Sequence, residues 1–270
     1  MTVQSAAAAV TDLVEVGGVL VLTGAGISTE SGIPDYRGPT GALRRSLPMT
    51  FETFRRDASA RRRYWARSQL GWRVIARAAP NDGHRAVARL EQGGRLAGLV
   101  TQNVDGLHQA GGARSVVELH GSVDRVVCLG CGERTPRVEV AARLQEANPG
   151  WDARAQQLNP DGDVSLDDDA VATFRVVDCT TCGGVLKPDV VFFGENVPPP
   201  VVAHCYGLVE QARALLVLGS SLSVMSGLRF VRKASALGKP VVIVNQGWTR
   251  GDDLATLKLD VPLGPTLREV

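Results

Sequence analysis

Residues 19–38 have the sequence VLVLTGAGISTESGIPDYRG, in which a short apolar run is followed by small and then polar residues. The run Val19 to Leu22 is bounded by glycines and contains β-branched residues, which predicts a buried strand of a parallel sheet. Gly24 and Gly26 predict a tight turn, and Ser28 is a residue type that begins helices. Glycines let the backbone approach a phosphate, and a helix N-terminus offers free N–H groups, so this stretch is a candidate pyrophosphate site.

The glycine pattern alone is incomplete, because Thr29 stands where G-x-G-x-x-G has its third glycine. An ordinary tight turn explains the pattern as well as a dinucleotide site does. The continuation favours the dinucleotide site, since Asp35, Tyr36 and Arg37 place a carboxylate, a phenol and a guanidinium on the loop just after the turn.

The composition is that of an ordinary globular protein, with 270 residues, 44% of them hydrophobic, and a net charge of +2. This length allows one large domain with a satellite, or two domains. No apolar run approaches the roughly 20 residues of a membrane span, and the N-terminus lacks the basic residues of a secretory signal. We therefore expect a cytoplasmic protein with no membrane partner. No basic-aromatic pattern surrounds the cysteines, so we also expect no direct binding of nucleic acid.

Four of the five cysteines form two C-x-x-C pairs, Cys128 with Cys131 and Cys179 with Cys182. Two such pairs are typical of a tetrahedral Cys₄ zinc site, which leaves no open position for chemistry. Structural zinc is thus favoured over catalytic zinc, with a redox disulfide as the minor alternative. The chain between the pairs exceeds the roughly 15–20 residues of common zinc ribbons, so we expect residues 134–178 to form an excursion from the zinc module.

Apolar runs alternate with helical patterns along the rest of the chain, which is typical of a doubly wound α/β sheet. Predicted strands are Leu96 to Val100, Val116 to Leu119, Lys187 to Glu195, Ala214 to Leu218 and Pro240 to Val244. Predicted helices are Ala6 to Val16, Phe51 to Ala79, Asn81 to Gln92, Val201 to Gln211 and Gly227 to Ala236.

Polar residues follow several of these strands, and ligands of open α/β sheets bind outside the carboxyl ends of the strands. Gln102, Asn103 and Asp105 come after the strand that begins at Leu96. One of the three could cap the next helix, but hardly all of them. His120 ends the next apolar run beside Gly121, where no large side chain blocks its access to a ligand.

In chain order, the sequence contains the motifs GAGIS, GIPDYRG, TQNVDGLH, LHG, two C-x-x-C pairs, KPDVVFFGE, GSSLSV and VNQG. With these motifs the chain resembles the sirtuins, which are NAD-dependent protein-lysine deacylases. Together they are specific, although each alone is not, and they span about residues 12–263. YWAR, CLGCGE, NPDGDV and the long gap between the cysteine pairs are similar to the class II branch, which includes the mitochondrial lipoamidase and ADP-ribosylating member.

The resemblance implies a six-stranded Rossmann-like parallel sheet and a smaller zinc-binding and helical domain, with NAD and an acyl-lysine peptide in the cleft between them. We expect residues 1–40, 81–122 and 188–270 to form the NAD-binding domain. Residues 41–80 would form the helical module and residues 123–187 the zinc module. The oligomeric state is left open, a monomer being compatible with the sequence.

The resemblance also implies residue roles. His120 would act as general base on a ribose hydroxyl, for which an imidazole pKa of about 6.5 is suited. Asn103 and Asp105 would hold the nicotinamide ribose and order a water, and Cys128, Cys131, Cys179 and Cys182 would bind one structural Zn²⁺. The remaining NAD contacts would be Gly24, Ala25, Gly26, Ser28, Ile33, Asp35, Tyr36, Arg37, Gln102, Gly219, Ser220, Ser221, Asn245, Gln246, Gly247 and Leu263.

The substrate peptide would lie as an added strand between two segments, recognised through its main chain. Those segments would supply Val191, Phe192, Phe193, Gly194, Glu195 and Val224. Tyr64 and Arg67 are one helical turn apart and share a face. In the class III branch a similarly spaced pair binds an acyl carboxylate, so we hypothesise a preference for acidic or long acyl chains over acetyl. Alternatively, Arg67 packs its stem within the helical module.

Two other functions stay open at this point. A protein mono-ADP-ribosyltransferase would use the same NAD chemistry with a protein nucleophile in place of the acyl oxygen. A zinc module that senses NAD without cleaving it would need no catalytic base. A deacylase is distinguished from both by its products, nicotinamide and O-acyl-ADP-ribose.

Overall fold

The computed structural model describes residues 2–36, 49–151, 166 and 171–270. It contains a six-stranded parallel sheet and a three-stranded antiparallel sheet. The large sheet consists of β1 (Val19–Thr23), β2 (Leu96–Thr101), β3 (Val116–Glu118), β7 (Ala214–Leu218), β8 (Val241–Val244) and β9 (Leu257–Leu259). The small sheet consists of β4 (Gly121–Cys128), β5 (Arg134–Pro136) and β6 (Leu186–Val190). The predicted α/β class, with a Rossmann-like sheet and a smaller zinc-binding part, is confirmed.

The strand order of the large sheet is β3-β2-β1-β7-β8-β9. The chain therefore moves outward from β1 to one edge, returns to the centre at β7, and moves outward to the other edge. The carboxyl ends of β1 and β7 meet where this direction reverses, and such a switch point is where open α/β sheets bind ligands.

Apolar residues cover both faces of the large sheet. Along β1, Val19 and Val21 pack into one hydrophobic cluster, while Leu20 and Leu22 pack into another on the opposite face. Successive strand residues point to opposite faces, so burial of both faces requires an unbroken apolar run. This is why β1, β7 and β8 have sequences without polar alternation.

Helices cover the sheets. They are α1 (Val3–Glu15), α2 (Phe51–Arg56), α3 (Ala58–Ile75), α4 (Asp82–Gln92), α5 (Leu107–Ala110), α6 (Arg137–Ala147), α7 (Pro199–Gln211), α8 (Met225–Ala236) and α9 (Leu263–Arg268). The predicted helical stretch 51–79 is interrupted at Asp57, whose extended backbone ends α2 and whose carboxylate caps α3 through the N–H groups of Ser59 and Ala60. Within the part of the chain described, no helix combines the length and apolarity needed to cross a bilayer.

The structure differs from the predictions in three places. The helix expected to begin at Ser28 is instead two single 3₁₀ turns, Ala25–Ile27 and Thr29–Ser31, because Gly32 takes a left-handed conformation (φ 83°) and Pro34 follows. Leu186–Val190 pairs in the small sheet and ends at Val190, so the strand predicted over Lys187 to Glu195 is shorter than expected, while the domain bounds stay a prediction. The strands β4, β5 and β9 were not predicted, because they lack a clean apolar run.

Candidate active site and metal centre

A cavity of about 980 Å³ opens at the switch point of the large sheet and extends to the small one. It is lined by every described residue predicted to contact NAD and by the catalytic candidates Asn103, Asp105 and His120. All predicted peptide-contacting residues line it as well, except Arg67. Arg37 lies outside the described residues. The structure thus brings residues from eight separate stretches of sequence to one surface.

Two loops at the carboxyl ends of β1 and β7 pack directly on each other. Gly26 N–H donates to the Gly219 carbonyl at 2.8 Å, and Gly24 N–H donates to the Leu218 carbonyl at 3.1 Å. A Cβ on Gly26 would lie 2.8 Å from the Gly219 oxygen, and one on Gly24 would lie 2.8 Å from the Cβ of Ser220. The glycines of this turn are therefore required by contact between the loops.

Ser28 is the centre of a hydrogen-bond network on the cavity wall. Its hydroxyl donates to Asp105 Oδ2 at 2.7 Å and accepts from Asn103 Nδ2 at 3.0 Å. The other oxygen of Asp105 accepts from Leu107 N–H, the first residue of α5, whose N-cap residue is Gly106. Burial raises the pKa of Asp105, while hydrogen bonds from Leu107 and Ser28 oppose that rise.

Gln102 links the two halves of the site. Its Nε2 donates to the Thr23 carbonyl at 3.2 Å and to Ser220 Oγ at 2.9 Å, so it connects β1 with the loop after β7. Its backbone carbonyl lies 2.8 Å from Nδ1 of His120. A carbonyl only accepts hydrogen bonds, so Nδ1 of the neutral imidazole carries the proton and Nε2 is the basic nitrogen.

His120 lies where the chain passes from the large sheet to the small one, between β3 and β4. The next residue, Gly121, is left-handed (φ 76°), and a Cβ there would lie only 2.0 Å from the Asp189 carbonyl. The backbone carbonyl of His120 accepts from Val191 N–H at 2.8 Å. Burial lowers the pKa of His120, and its hydrogen bond with Gln102 opposes that fall, so the ring is neutral and basic near pH 7.

The other three histidines are unsuited to act as the base. His84 and His108 are buried with their rings 5.0 Å apart, and burial lowers their pKa values to about 4 and about 3. His84 completes a capping box with Asn81 at the start of α4. His204 is exposed on α7. Of these four side chains, His120 alone lines the described cavity wall.

The four paired cysteines converge at the end of the small sheet. Their sulfur atoms all lie within 4.8 Å of one another, with Cys128 to Cys182 at 3.5 Å and Cys131 to Cys179 at 3.8 Å. Tetrahedral zinc with Zn–S bonds of about 2.3 Å requires sulfurs about 3.8 Å apart, so the set fits the ion. Gly184 is required here, because a Cβ would lie 2.9 Å from the Cys128 sulfur. Four thiolates fill the coordination shell, which makes the zinc structural.

Comparison with known proteins agrees with these features. A model of the Sir2 family matches residues 24–226. The NAD-dependent protein deacetylase 1 of Streptomyces coelicolor is 64% identical over 263 residues, which cover 97% of this chain and 88% of that protein. The chain belongs to the Sir2 family. The NAD-dependent protein deacetylase 1 of Mycobacterium avium is 53% identical over 247 residues, covering 90% of this chain and 86% of that protein.

Solved structures of Sir2 proteins have the same fold. One, described as Sir2 with a p53 peptide and NAD⁺, superposes with a TM-score of 0.78 at 31% identity and covers 100% of this chain and 97% of that one. Another, described as Sir2 bound to acetylated peptide, has a TM-score of 0.77 at 30% identity with the same coverage.

The segment after β6 is held by a buried ion pair that was not anticipated from the sequence. Lys187, 3% exposed, donates to the Val190 carbonyl at 2.5 Å and to Glu195 Oε2 at 3.0 Å. The same carboxylate oxygen accepts from Phe192 N–H at 2.9 Å. The ammonium also lies 4.7 Å from the ring centroid of Phe192. Glu195, which was predicted to contact the peptide, therefore stabilises residues 191–195 through its bonds to Lys187 and to the backbone of Phe192.

Other cavity residues were missed because their positions carry no pattern in the sequence. Ser226 and Arg229 line the cavity from the first turns of α8, and Trp248, 74% exposed, lines it beside Gly247. Tyr64 lines the cavity and is 2% exposed, whereas Arg67 on the same helix does not reach it. The class II assignment and the acyl preference stay predictions.

Proposed function

We infer that this chain is an NAD-dependent protein deacetylase that uses NAD as co-substrate and holds one structural zinc at its four paired cysteines. Membership of the Sir2 family and the activity named for its relatives support this. The observation that carries it is the imidazole of His120, which lines the large cavity with its basic nitrogen defined by the Gln102 carbonyl.

The reaction proposed is transfer of an acyl group from a lysine side chain to ADP-ribose. The acyl oxygen attacks C1′ of the nicotinamide ribose, nicotinamide leaves, and hydrolysis gives the free lysine and O-acyl-ADP-ribose. An amide oxygen is a weak nucleophile, so orientation of the two substrates has to supply much of the rate. The cavity suits that task, because its walls are loops held by hydrogen bonds between strands on either side of the switch point.

The proposed roles follow the positions of the side chains. The loops at Gly24–Ser28 and Gly219–Ser221 would hold the pyrophosphate and ribose, and Asn245 to Gly247 with Leu263 the adenosine. Ile33 and Asp35 would bind the carboxamide of nicotinamide, with Tyr36 closing over it. Asn103 and Asp105, joined through Ser28, would orient the nicotinamide ribose. His120 would take the proton from a ribose hydroxyl.

The proposed substrates are acyl-lysine proteins or peptides. The structure described as Sir2 bound to acetylated peptide supports this class. The peptide would enter between residues 191–195 and Val224, and its acyl-lysine would point towards His120 and Tyr64. The preference for acidic or long acyl chains over acetyl stays a hypothesis that depends on Tyr64 and Arg67. It fails if Arg67→Ala leaves succinyl or glutaryl turnover unchanged relative to acetyl.

The test is turnover of NAD with an acetyl-lysine peptide, followed by the mass of the products. We expect nicotinamide, deacetylated peptide and O-acetyl-ADP-ribose in equal amounts. His120→Ala should lower formation of O-acetyl-ADP-ribose by about 10²–10⁴-fold, the usual contribution of a general base. His204→Ala is the matched control and should leave the rate unchanged, because His204 is exposed on α7.

The same experiment separates the alternatives. An ADP-ribosylated protein in place of O-acetyl-ADP-ribose would identify a mono-ADP-ribosyltransferase. Binding of NAD without nicotinamide release, across acetyl, succinyl, glutaryl and lipoyl peptides, would identify a sensor. Equal activity of the His120→Ala and wild-type proteins would contradict the assigned base.

A further inference from the structure

The basic nitrogen of His120 has a partner that no motif of the sequence indicates. Nε2 lies 2.8 Å from the hydroxyl oxygen of Ser226, the second residue of α8. Because Nδ1 carries the proton that faces the Gln102 carbonyl, Nε2 is the acceptor and the hydroxyl of Ser226 is the donor. The imidazole is thus held at both nitrogens.

Both partners are themselves fixed in place. Gln102 is tied to Thr23 and Ser220 through its side-chain amide. The first turn of α8 packs on Gln102 so closely that a Cβ on Gly227 would lie 2.6 Å from its Oε1. The hydroxyl of Ser226 and the carbonyl of Gln102 therefore form a rigid frame around the ring.

A capping function does not account for Ser226. The first residue before α8 is Val224, and within the described residues this helix has no side-chain cap. The hydroxyl of Ser226 makes its one hydrogen bond, in the part of the chain that is described, to His120.

We propose that Ser226 is a positioning residue for the base: its hydroxyl donates to Nε2 of the neutral His120 and, with the Gln102 carbonyl at Nδ1, holds the ring in one orientation and in the Nδ1–H form. This rests on the proposed function for its kinetic consequence, but the hydrogen bond itself is a property of the free protein. A serine hydroxyl is both donor and acceptor, so Ser226 accepts from Nε2–H once the base has taken a proton, and the ring keeps its position in both protonation states.

Loss of the hydroxyl removes a partner from both forms of the ring, but the bond to the imidazolium is charge-assisted and therefore the stronger of the two, so the pKa of His120 falls. A hydrogen bond of ordinary net strength corresponds to a shift of about 0.5 to 1 pH unit. The charged side chains that line the cavity around the ring are Glu30, Asp35, Asp105, Glu195 and Arg229, and the strands and helix that flank it add Glu118, Asp124, Arg125, Lys187, Asp189, Arg232 and Lys233. Substitution of Ser226 leaves these charges unaltered.

The primary test is an NMR titration of the histidine rings in the zinc-loaded protein without NAD. Wild type should show His120 protonated on Nδ1. Ser226→Ala should lower its pKa by about 0.5 to 1 unit, and Ser226→Thr, which keeps the hydroxyl, should restore the wild-type value. Ser235→Ala, on the same helix, is the matched control and should leave the titration unchanged.

Kinetics provide the second readout. The acid limb of deacetylation in Ser226→Ala should move to lower pH by the same interval, while the rate on the pH plateau falls about three- to tenfold because the ring loses one of its two supports, and nicotinamide release changes less. If Ser226→Ala does not fold, Ser226→Cys has a weaker donor and should shift the pKa in the same direction.

An unchanged or raised pKa in Ser226→Ala, or a wild-type ring protonated on Nε2, would overturn the proposal. The titration needs no turnover. Absence of nicotinamide release by wild type would therefore reject the proposed function while leaving this test intact.

Discussion

The two sheets of this molecule are stabilised in different ways. The large sheet is parallel and apolar on both faces, and residues such as Val21 and Leu216 are fully buried. The small sheet has three short antiparallel strands, and its far end is closed by four cysteines. Burial of apolar surface holds the first, whereas the second depends on a metal ion together with the aromatic cluster around Trp65 and Phe192.

This difference matters for activity because His120 lies at the junction. The residue follows β3 of the large sheet and precedes β4 of the small one, and its carbonyl is bonded to Val191 after β6. The base is therefore positioned by both parts. Disorder in either sheet should displace His120, although the large sheet should stay folded when the small one unfolds.

The largest effect should come from loss of the metal. Cys182→Ala, or removal of zinc by a chelator, should abolish the tetrahedral site and lower deacetylation by at least about 100-fold. Parallel-sheet circular dichroism should persist, while exchange of amide hydrogens in β4 and β6 should accelerate. Cys205→Ala is the control. Because Cys205 is buried on α7 away from the cluster, this variant should still bind one zinc per chain. Full activity of the zinc-free protein would contradict the comparison.

A cavity created by mutation in the core of the large sheet should lower the free energy of unfolding. Leu216→Ala removes a fully buried side chain of β7 and should lower the free energy of unfolding by about 2–5 kcal/mol. Urea unfolding measures this, and zinc content at low temperature should be unchanged. Val74→Ala, on a side chain that is 46% exposed, should cost far less. Equal costs for the two variants would mean that β7 does not form the core described.

Loss of the ion pair between Lys187 and Glu195 should raise the KM for the acetyl-lysine peptide more than the KM for NAD. Lys187→Met removes the ammonium that holds the Val190 carbonyl and Glu195, so the segment 191–195 loses its brace. We expect the KM for the acetyl-lysine peptide to rise about tenfold, equivalent to 1.4 kcal/mol, with a smaller change for NAD. Lys233→Met, which breaks the exposed pair with Glu210, is the control. An equal rise for both substrates would reject a role specific to the peptide.

The smallest effect should come from the surface charges of the small sheet. Arg134 donates to Asp189 at 2.9 Å, but its side chain is 64% exposed. Arg134→Ala should therefore change stability by about 0–1 kcal/mol, and less at high salt. Thermal unfolding at two salt concentrations checks this. A larger cost would show that ion pairs, and not zinc, hold the small sheet.

Local pattern predicted the central strands and the residues that follow them. The runs at Val19, Leu96, Val116, Ala214 and Pro240 became strands of the large sheet, because burial of both faces leaves a continuous apolar signal. β9 was missed because three residues, LKL, give no such signal at a sheet edge. The prediction of a helix after the glycine turn was wrong, because the left-handed Gly32 ends the helical conformation after single 3₁₀ turns.

The cysteine spacing predicted the metal centre, since two C-x-x-C turns can each direct two thiolates at one point. The cavity residues were predicted mainly from the order of the motifs. Their hydrogen bonds were not, because partners such as Ser28 with Asp105 are far apart in the chain.

Three features could be inferred from the chain alone, namely the parallel sheet, the cysteine cluster and membership of the Sir2 family, because each leaves a local record: an apolar run, a fixed spacing, an ordered set of motifs. The folded molecule was needed to show why the turn requires Gly24 and Gly26, what supports the segment after β6, and which nitrogen of His120 is basic. These depend on contacts between distant residues, at Gly219, Glu195, Gln102 and Ser226. No local pattern encodes such contacts.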